Sequence, residues 1–328
     1  MADRGRPHAV PSASNDVDVS SVTGKAVMVT GASGSLGLAL VRRLSEESPS
    51  EIRALQRSPT AAVQLREAVS SRVPLRVISA DVADSDAVAS AIDGVDLVFH
   101  LAGLKDVVTC EERPELALRS NVTGSQVVAQ AAARPGSHAV VVAASTDKAG
   151  LARSVLGLTK ALMERIVCAV EVGCSVRLGG VLESSGSVLE VWRRSARERG
   201  VIEVTDSEMT RFVMTKDEAV LALLRASERG RRGEILVPTM RAYSVRDLAM
   251  VFARANDVEV RIVGPRRGEE RHGEALSTFE SAYAGQEGEW RVLIPGRELG
   301  GVPPYRSDHV EPLTVADLER VIGTVAST

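Results

Sequence analysis

Glycines at positions 31, 34 and 37, in the string Thr30-Gly31-Ala32-Ser33-Gly34-Ser35-Leu36-Gly37, follow a short apolar run and open a helical one. Residues without side chains allow a tight turn there, let backbone approach a pyrophosphate, and let the helix pack closely on the strand. The helix N-terminus adds free N–H groups and a partial positive charge. Gly31, Ser33, Gly34, Ser35 and Leu36 are therefore expected to line a dinucleotide. At the end of the second strand, where an acidic residue would hold the ribose hydroxyls of NAD, the chain has Arg57 and Ser58. These suit the 2′-phosphate of NADP, a solvated surface charge being the plain alternative. Asp81 and Val82, after the third strand, are placed to meet the adenine, or else form an ordinary loop. After the fifth strand an acid and an amine stand side by side as Asp147 and Lys148. They are a surface ion pair unless the fold puts them where ligands bind.

The elements that must position these groups are short β-branched runs alternating with Ala/Leu-rich helical stretches, the pattern of βαβ units around a parallel sheet buried on both faces. Strands are predicted at Ala26–Thr30, Ile52–Leu55, Leu75–Ser79, Leu97–His100 and Ala139–Ala143. Helices are predicted near Leu36–Glu46, Ala61–Val69, Asp84–Ile92 and Pro114–Ala133. The fold class is α/β, a Rossmann doubly wound parallel sheet with a smaller C-terminal substrate lobe. After Gly179 the alternation gives way to isolated strands (Val201–Val204, Glu234–Val237, Val258–Ile262) and short helices (Lys216–Ala226, Val245–Ala255). The expected organisation is a disordered tail over 1–23, a dinucleotide-binding domain over 24–178, and a mainly substrate-binding lobe over 179–328, some of whose segments return to the sheet. Ligands are expected at the carboxyl edge of the strands.

Composition narrows the functional classes. The 328 residues carry 40 basic and 43 acidic side chains, a formal net charge of −3, and are 44% hydrophobic. There is no basic stretch interleaved with aromatics, so nucleic acid is not an expected partner. Arginine supplies all the basic residues except five lysines, Lys25, Lys105, Lys148, Lys160 and Lys216. Cys110, Cys168 and Cys174 form no CxxC pair and adjoin no histidine cluster, which indicates neither a disulfide framework nor a metal site and fits a reducing cytoplasm. No apolar run approaches the roughly 20 residues of a membrane span.

Over Gly24 to Leu276 the chain resembles the extended short-chain dehydrogenases/reductases, and more narrowly the UDP-N-acetylglucosamine 4,6-dehydratases of polysaccharide biosynthesis, including the inverting branch. The carriers are Thr30–Gly37, Val98–Lys105, Asn121-Val122-Thr123-Gly124, Ser145-Thr146-Asp147-Lys148-Ala149, the stretch Glu208–Thr215, and Arg267-Gly268-Glu269-Glu270 followed by His272. The resemblance implies a tightly bound, recycled NADP or NAD. In the reaction it implies, hydride leaves sugar C4, the ketone acidifies the C5 proton, water is eliminated across C5 and C6, and hydride returns. By position, Thr146 would touch the reacting hydroxyl, Asp147 would protonate the leaving group and Lys148 would remove the C5 proton. That assignment requires burial and mutual coupling to shift both groups toward neutrality. Lys160 would hold the nicotinamide ribose, and Leu101 and Ala102 would lie against the cofactor. A dimer through the helix near Ser154–Val172 is also implied.

The departures are as telling as the matches. A tyrosine of the family's YxxxK pair is here Leu156, which cannot exchange a proton, while Lys160 is kept. The chain's tyrosines, Tyr243, Tyr283 and Tyr305, all lie far downstream, so none is expected to substitute. Around the expected substrate site stand Lys105, Asp106, Ser145, Gly180, Glu183, Ser185, Arg211 and Arg267. Asp106, Gly180, Glu183 and Ser185 differ from the family's usual residues. An arginine lost and a glutamate gained near the diphosphate position weaken anion binding. The reading is a redox-neutral dehydratase of a modified nucleotide sugar or an uncharged nucleoside-type sugar, with Asp147, Lys148 or a water held by Ser145 or Thr146 moving the hydroxyl proton. A sugar epimerase or ketoreductase of the same fold and a non-catalytic NADP-binding sensor are the alternatives.

Overall fold

The computed structural model describes residues 22–58, 60–69, 72–170, 172–182, 184, 186–229, 233–266 and 268–326. Nearly all of the predicted N-terminal tail, together with Glu183, Ser185 and Arg267, lies outside the described residues. The first half of the chain alternates as its hydrophobic pattern predicts. In order come β1 (Ala26–Thr30), α1 (Ser35–Glu46), β2 (Glu51–Gln56), α2 (Ala61–Ala68), β3 (Leu75–Ser79), α3 (Ser85–Ile92) and β4 (Leu97–His100). There follow α4 (Val107–Glu112), α5 (Pro114–Ala117), α6 (Gly124–Ala132), β5 (Val140–Thr146) and α7 (Val155–Ala169). The single helix expected over Pro114–Ala133 is interrupted by a π-helical turn at Leu118–Thr123. Such a turn widens the backbone locally and is a common device at functional sites. Here it carries Asn121, whose side chain is bonded to both backbone groups of Leu104, at 2.7 and 3.0 Å.

The second half supplies β6 (Gly173–Leu178), β7 (Gly180–Val181), α8 (Val188–Arg199), β8 (Val201–Val204), β9 (Thr210–Met214), α9 (Lys216–Arg229), β10 (Ile235–Pro238) and β11 (Arg241–Ser244). It closes with α10 (Val245–Asn256), β12 (Glu259–Ile262), β13 (Glu274–Leu276), α11 (Thr278–Ser281), β14 (Gly285–Glu287), β15 (Trp290–Leu293), β16 (Tyr305–Arg306) and α12 (Val315–Ala326). The large sheet runs β14-β15-β10-β6-β5-β4-β1-β2-β3. All strands from β10 to β3 in that order are parallel, and β15 and β14 add antiparallel edges. Strand order reverses between β1 and β4, the topological switch point at which such sheets bind ligands. Buried aliphatic residues of β1, β4, β5 and β6 fill the layers on either face. A separate cluster around Trp192, Ile202, Tyr243, Leu248 and Phe252 joins α8, β8, β11 and α10 beside the strands' carboxyl ends.

Strand β5 runs further than its apolar core, through Ser145 and Thr146, because these pair with Arg177 and Leu178 of β6. Arg177 is fully buried inside the sheet. Its guanidinium donates to both oxygens of Glu164 on α7, at 2.9 and 2.8 Å, and to both oxygens of Glu280 on α11, at 2.8 and 2.7 Å. Two carboxylates thus compensate the guanidinium in a buried site. The bridge ties α7, β6 and the later α11 into one framework beneath the carboxyl end of β5.

Candidate active site

A cavity of about 880 Å³ runs along the carboxyl ends of the strands, from the glycine-rich turn after β1 to the segment before β13. At one end Gly31 adopts a left-handed φ of +67°, and a Cβ there would sit 2.7 Å from the Ala102 backbone nitrogen. A Cβ on Gly37 would lie 2.3 Å from the Gly31 carbonyl oxygen, so strand, turn and α1 touch backbone to backbone. The N-terminus of α1, at Gly34, has no side-chain cap. Gly31, Ser33, Gly34, Ser35, Leu36, Leu101 and Ala102 all line the cavity beside it, as do Arg57, Ser58, Asp81 and Val82. Arg57 and Ser58 are exposed at the end of β2. Asp81 is turned to Arg119 at 3.0 Å, and the Ala83 N–H, followed by Arg119 and Arg57, holds its carboxyl below the usual value against the opposing effect of burial.

Beneath this turn a buried hydrogen-bond chain sets the backbone. Ser125 Oγ donates to the Asn121 carbonyl at 2.6 Å and is bonded to His100 Nε2 at 2.8 Å, so the imidazole proton lies on Nε2. His100 Nδ1 then accepts from Thr30 Oγ1 at 2.7 Å, which leaves that hydroxyl oxygen to accept the Ala102 N–H at 3.1 Å. Burial, reinforced by the charge of Lys160, pushes the imidazole down to about 3, so it is neutral throughout the physiological range.

Lys160 projects from α7 into the cavity, is buried, and donates to the Ala144 carbonyl at 2.8 Å. Desolvation lowers its ammonium to about 8, partly offset by Glu164. One turn earlier Leu156 is buried among Cys110, Ala117 and Leu104, and it lines the same cavity. Its apolar neighbours offer no reactive substitute. Burial raises the Cys110 thiol to about 11, where it keeps its proton.

The Asp147–Ala149 turn continues directly from β5. Thr146 Oγ1 donates to Asp147 Oδ1 at 3.0 Å, and Lys148 Nζ reaches the same oxygen at 3.3 Å. Asp147 is buried while Lys148 remains a quarter exposed. Close backbone packing clamps the turn on both sides. A Cβ on Gly157 of α7 would stand 2.5 Å from the Lys148 carbonyl, and one on Gly150 would stand 2.4 Å from the Glu274 carbonyl at β13. The pair is thus held at the carboxyl edge of the sheet, facing the cavity.

Other predicted residues fall into place unevenly. Lys105 lines the cavity, and burial lowers its ammonium against the opposing pull of Glu190 and Asp106. Asp106 is there too, but its carboxylate caps α4, taking the Thr109 N–H at 2.7 Å and hydroxyl at 2.5 Å. Ser145 lines the cavity with its hydroxyl proton committed to Glu164 at 2.5 Å, so it is poorly placed to hold a water in a proton chain. Gly180 faces the cavity from β7. Arg211 is spent largely on its own scaffold, donating to the carbonyls of Thr210 and Arg271 at 2.9 Å.

Two groups were missed. Tyr243, placed by sequence distance outside the site, lines the cavity, because β11 pairs with β9 and sets it opposite Arg211. A tyrosine thus reaches the cavity from far along the chain, at a place other than that of Leu156. Burial raises its phenol to about 12, with Arg211 opposing and Asp147 reinforcing the shift. Glu270 also lines the cavity. Its Oε1 is buried without a hydrogen-bond partner. Burial lifts its carboxyl to about 7 against the pull of nearby Lys148. In the sequence it stands only within the Arg267-Gly268-Glu269-Glu270 string that carries the family resemblance, with no role assigned to it.

The model of a family described as polysaccharide biosynthesis protein matches residues 27–293. The chain belongs to the polysaccharide biosynthesis protein family. Consistent with that membership, it is 35% identical over 292 residues to a UDP-glucose 4-epimerase of Rickettsia canadensis, covering 84% of each protein. Among solved structures, Pen from Bacillus thuringiensis aligns with a TM-score of 0.86 at 27% identity, over 93% of this chain and 98% of that one. The dTDP-glucose 4,6-dehydratase DesIV from Streptomyces venezuelae, solved with NAD and TYD bound, aligns with a TM-score of 0.70 at 20% identity, over 92% of this chain and 97% of that one. At that identity the likeness shows the fold. Among the described residues, no helix of this family member is long and apolar enough to cross a membrane.

Proposed function

We propose that the chain is a redox-neutral, nicotinamide-dependent dehydratase acting on the sugar of a nucleotide sugar or a nucleoside. The observation that carries this reading is the Thr146–Asp147–Lys148 constellation, clamped at the carboxyl end of β5 in the cavity that also holds Lys160 and the glycine cradle. The cradle fits a dinucleotide: Gly31 and Gly37 leave no room for side chains, and the first turn of α1 is open to a pyrophosphate. Lys160, held on the Ala144 carbonyl, would secure the nicotinamide ribose, and Arg57 and Ser58 would meet a 2′-phosphate, which favours NADP. The NAD in the DesIV complex supports the cofactor class. When bound, the cofactor supplies a hydride acceptor and donor.

The elimination follows from the chain's own groups. Thr146 holds the reacting hydroxyl. A proton passing from Lys148 Nζ to Asp147 Oδ1, along the contact at 3.3 Å, turns an ion pair into a free amine beside a carboxylic acid. The amine takes the C5 proton of the ketosugar while the acid protonates the departing hydroxyl, and the ion pair is restored. No proton is gained or lost by the pair over the elimination.

An epimerase is the second reading, favoured by the Rickettsia relative's name and its 35% identity. The two separate on mass. Incubation with UDP-N-acetylglucosamine and a panel of free nucleosides, followed by mass spectrometry, is expected to give a product lighter by one water without net nicotinamide reduction. An isomer of unchanged mass would establish the epimerase instead. A dimer through α7 is also proposed, since Leu158 and Leu162 lie exposed one turn apart on its outer face.

A further inference from the structure

The dehydratase cycle described above leaves one proton without a carrier. Oxidation of the sugar alcohol releases a hydride and a proton, and the position from which a tyrosine would take the proton is the buried, apolar Leu156. Asp147 and Lys148 are occupied by the elimination. Cys110, packed against Leu156, keeps its proton. Tyr243 keeps its own as well and can donate but not accept.

We propose that Glu270 is the group that takes the proton from the substrate hydroxyl as hydride leaves and gives it back when hydride returns. Three features of geometry support this. First, Glu270 faces the cavity in the company of Lys148 and Asp147, with Arg211 and Arg153 the other charges within reach. Second, Oε1 is buried with no donor to satisfy it. A buried acceptor without a donor is unfavourable, and a substrate hydroxyl is the donor that would relieve it. Third, the segment carrying Glu270 is fixed on both sides. Gly268 packs on the Glu111 carboxylate, 2.8 Å from where a Cβ would stand. Gly273 donates its N–H to Ser307 Oγ at 2.8 Å and lies against Asp147 Oδ2. The neighbouring charges of the segment are engaged, Glu269 by the Arg266 N–H and the Arg211 guanidinium and Arg271 by Asp206.

The step balances. The C4 hydrogen leaves as hydride to the bound nicotinamide, the O–H bond breaks, the proton passes to the Glu270 carboxylate, and the C4–O bond becomes a carbonyl. On return, the carboxylic acid reprotonates the C4 alkoxide where hydride comes back to C4, or delivers its proton to C5 where hydride goes to C6 and the C4 ketone is kept. Burial, which lifts the carboxyl to about 7, makes Glu270 able to accept and return a proton near neutrality. Because the accepting form is the carboxylate, the rate of hydride transfer is expected to rise as pH increases through 7 and to level off above it.

This inference rests on the dehydratase reading, and the test separates the two. Glu270→Gln keeps shape and hydrogen bonding but cannot accept a proton. In stopped-flow absorbance of the bound nicotinamide, the variant is expected to lose about a hundredfold or more in hydride transfer, with substrate Kd little changed and the limb near pH 7 absent. Glu270→Asp is expected to recover part of the rate. Infrared difference titration needs no substrate: a carboxyl titrating near 7 in the wild-type protein, retained in Asp147→Asn and missing from Glu270→Gln, is the predicted signature. If the wild-type protein transfers hydride and the glutamine variant does so within threefold, with the same pH limb, the Glu270 assignment is overturned and the dehydratase reading stands. A wild-type protein in which no carboxyl titrates near neutrality overturns it independently of any substrate.

Discussion

At the scale of single residues, the chemistry of the site lies in contacts between neighbours in sequence and in contacts that sequence order hides. Thr146, Asp147 and Lys148 are adjacent, so their association was legible once β5 was recognised. Glu270 and Tyr243 arrive from loops and strands far along the chain and were legible only as letters. Asp147→Asn and Lys148→Ala are each expected to reduce water elimination by about 10²–10⁴-fold while leaving dinucleotide affinity unchanged, as measured by product mass and by fluorescence titration. Loss of binding along with activity would assign the pair a structural role. Gly31→Ala has the opposite profile. Its Cβ meets the Ala102 backbone at 2.7 Å, so dinucleotide binding itself should disappear. Arg57→Ala is expected to weaken NADP by roughly tenfold or more, the worth of one charge-assisted hydrogen bond, and to leave NAD affinity unaltered. Equal effects on both cofactors would remove Arg57 from 2′-phosphate recognition.

Among the elements, strands rich in aliphatic residues were readable from pattern alone, and β1, β3 and β4 fall where that pattern puts them, although β3 carries Arg76 and is only partly covered. Strand β6 was not, because it contains Ser175 and Arg177, residues whose burial depends on partners on α7 and α11. The π-helical turn was also illegible, since no residue pattern marks it; it carries Asn121, which is bonded to Leu104 across the chain. Arg177→Met should therefore destabilise the fold by about 3–5 kcal/mol, because it leaves Glu164 and Glu280 buried without their counter-ion. Chemical denaturation measures this directly, and a change under 1 kcal/mol would contradict the bridge. His100 gives a pH dependence. Its folded-state value, near 3, lies below the 6.5 of an exposed imidazole, so between these limits the unfolded chain binds the extra proton. Stability is consequently full above about 6.5 and falls as pH drops below it, by up to about 1.4 kcal/mol per pH unit from this residue. The NMR signals of His100 should stay in the neutral form across the range in which exposed histidines titrate, and titration near 6.5 would refute the buried, neutral assignment.

For the whole molecule, the reversal of strand order between β1 and β4 brings the glycine cradle, the β5 turn and the later segments together along one cavity. The α/β class and the cradle were legible because they follow from local periodicity and glycine spacing. The substrate side was legible only in part: Lys105, Asp106, Ser145 and Gly180 line the cavity as expected, whereas Tyr243 and Glu270 come from β11 and the segment before β13, whose pairings are long-range. The proposed dimer belongs to this scale. A double substitution, Leu158→Glu with Leu162→Glu, is expected to yield a folded monomer by analytical ultracentrifugation, whereas an unchanged sedimentation coefficient would move the interface away from α7. The central claim is a cycle in which hydride leaves and returns while water is lost. It is tested most directly by supplying substrate deuterated at sugar C4 and reading the product by mass spectrometry and NMR. The account predicts a product that has lost one water and still carries the deuterium. Deuterium retained in a product of unchanged formula, or deuterium accumulating on free dinucleotide, would contradict it.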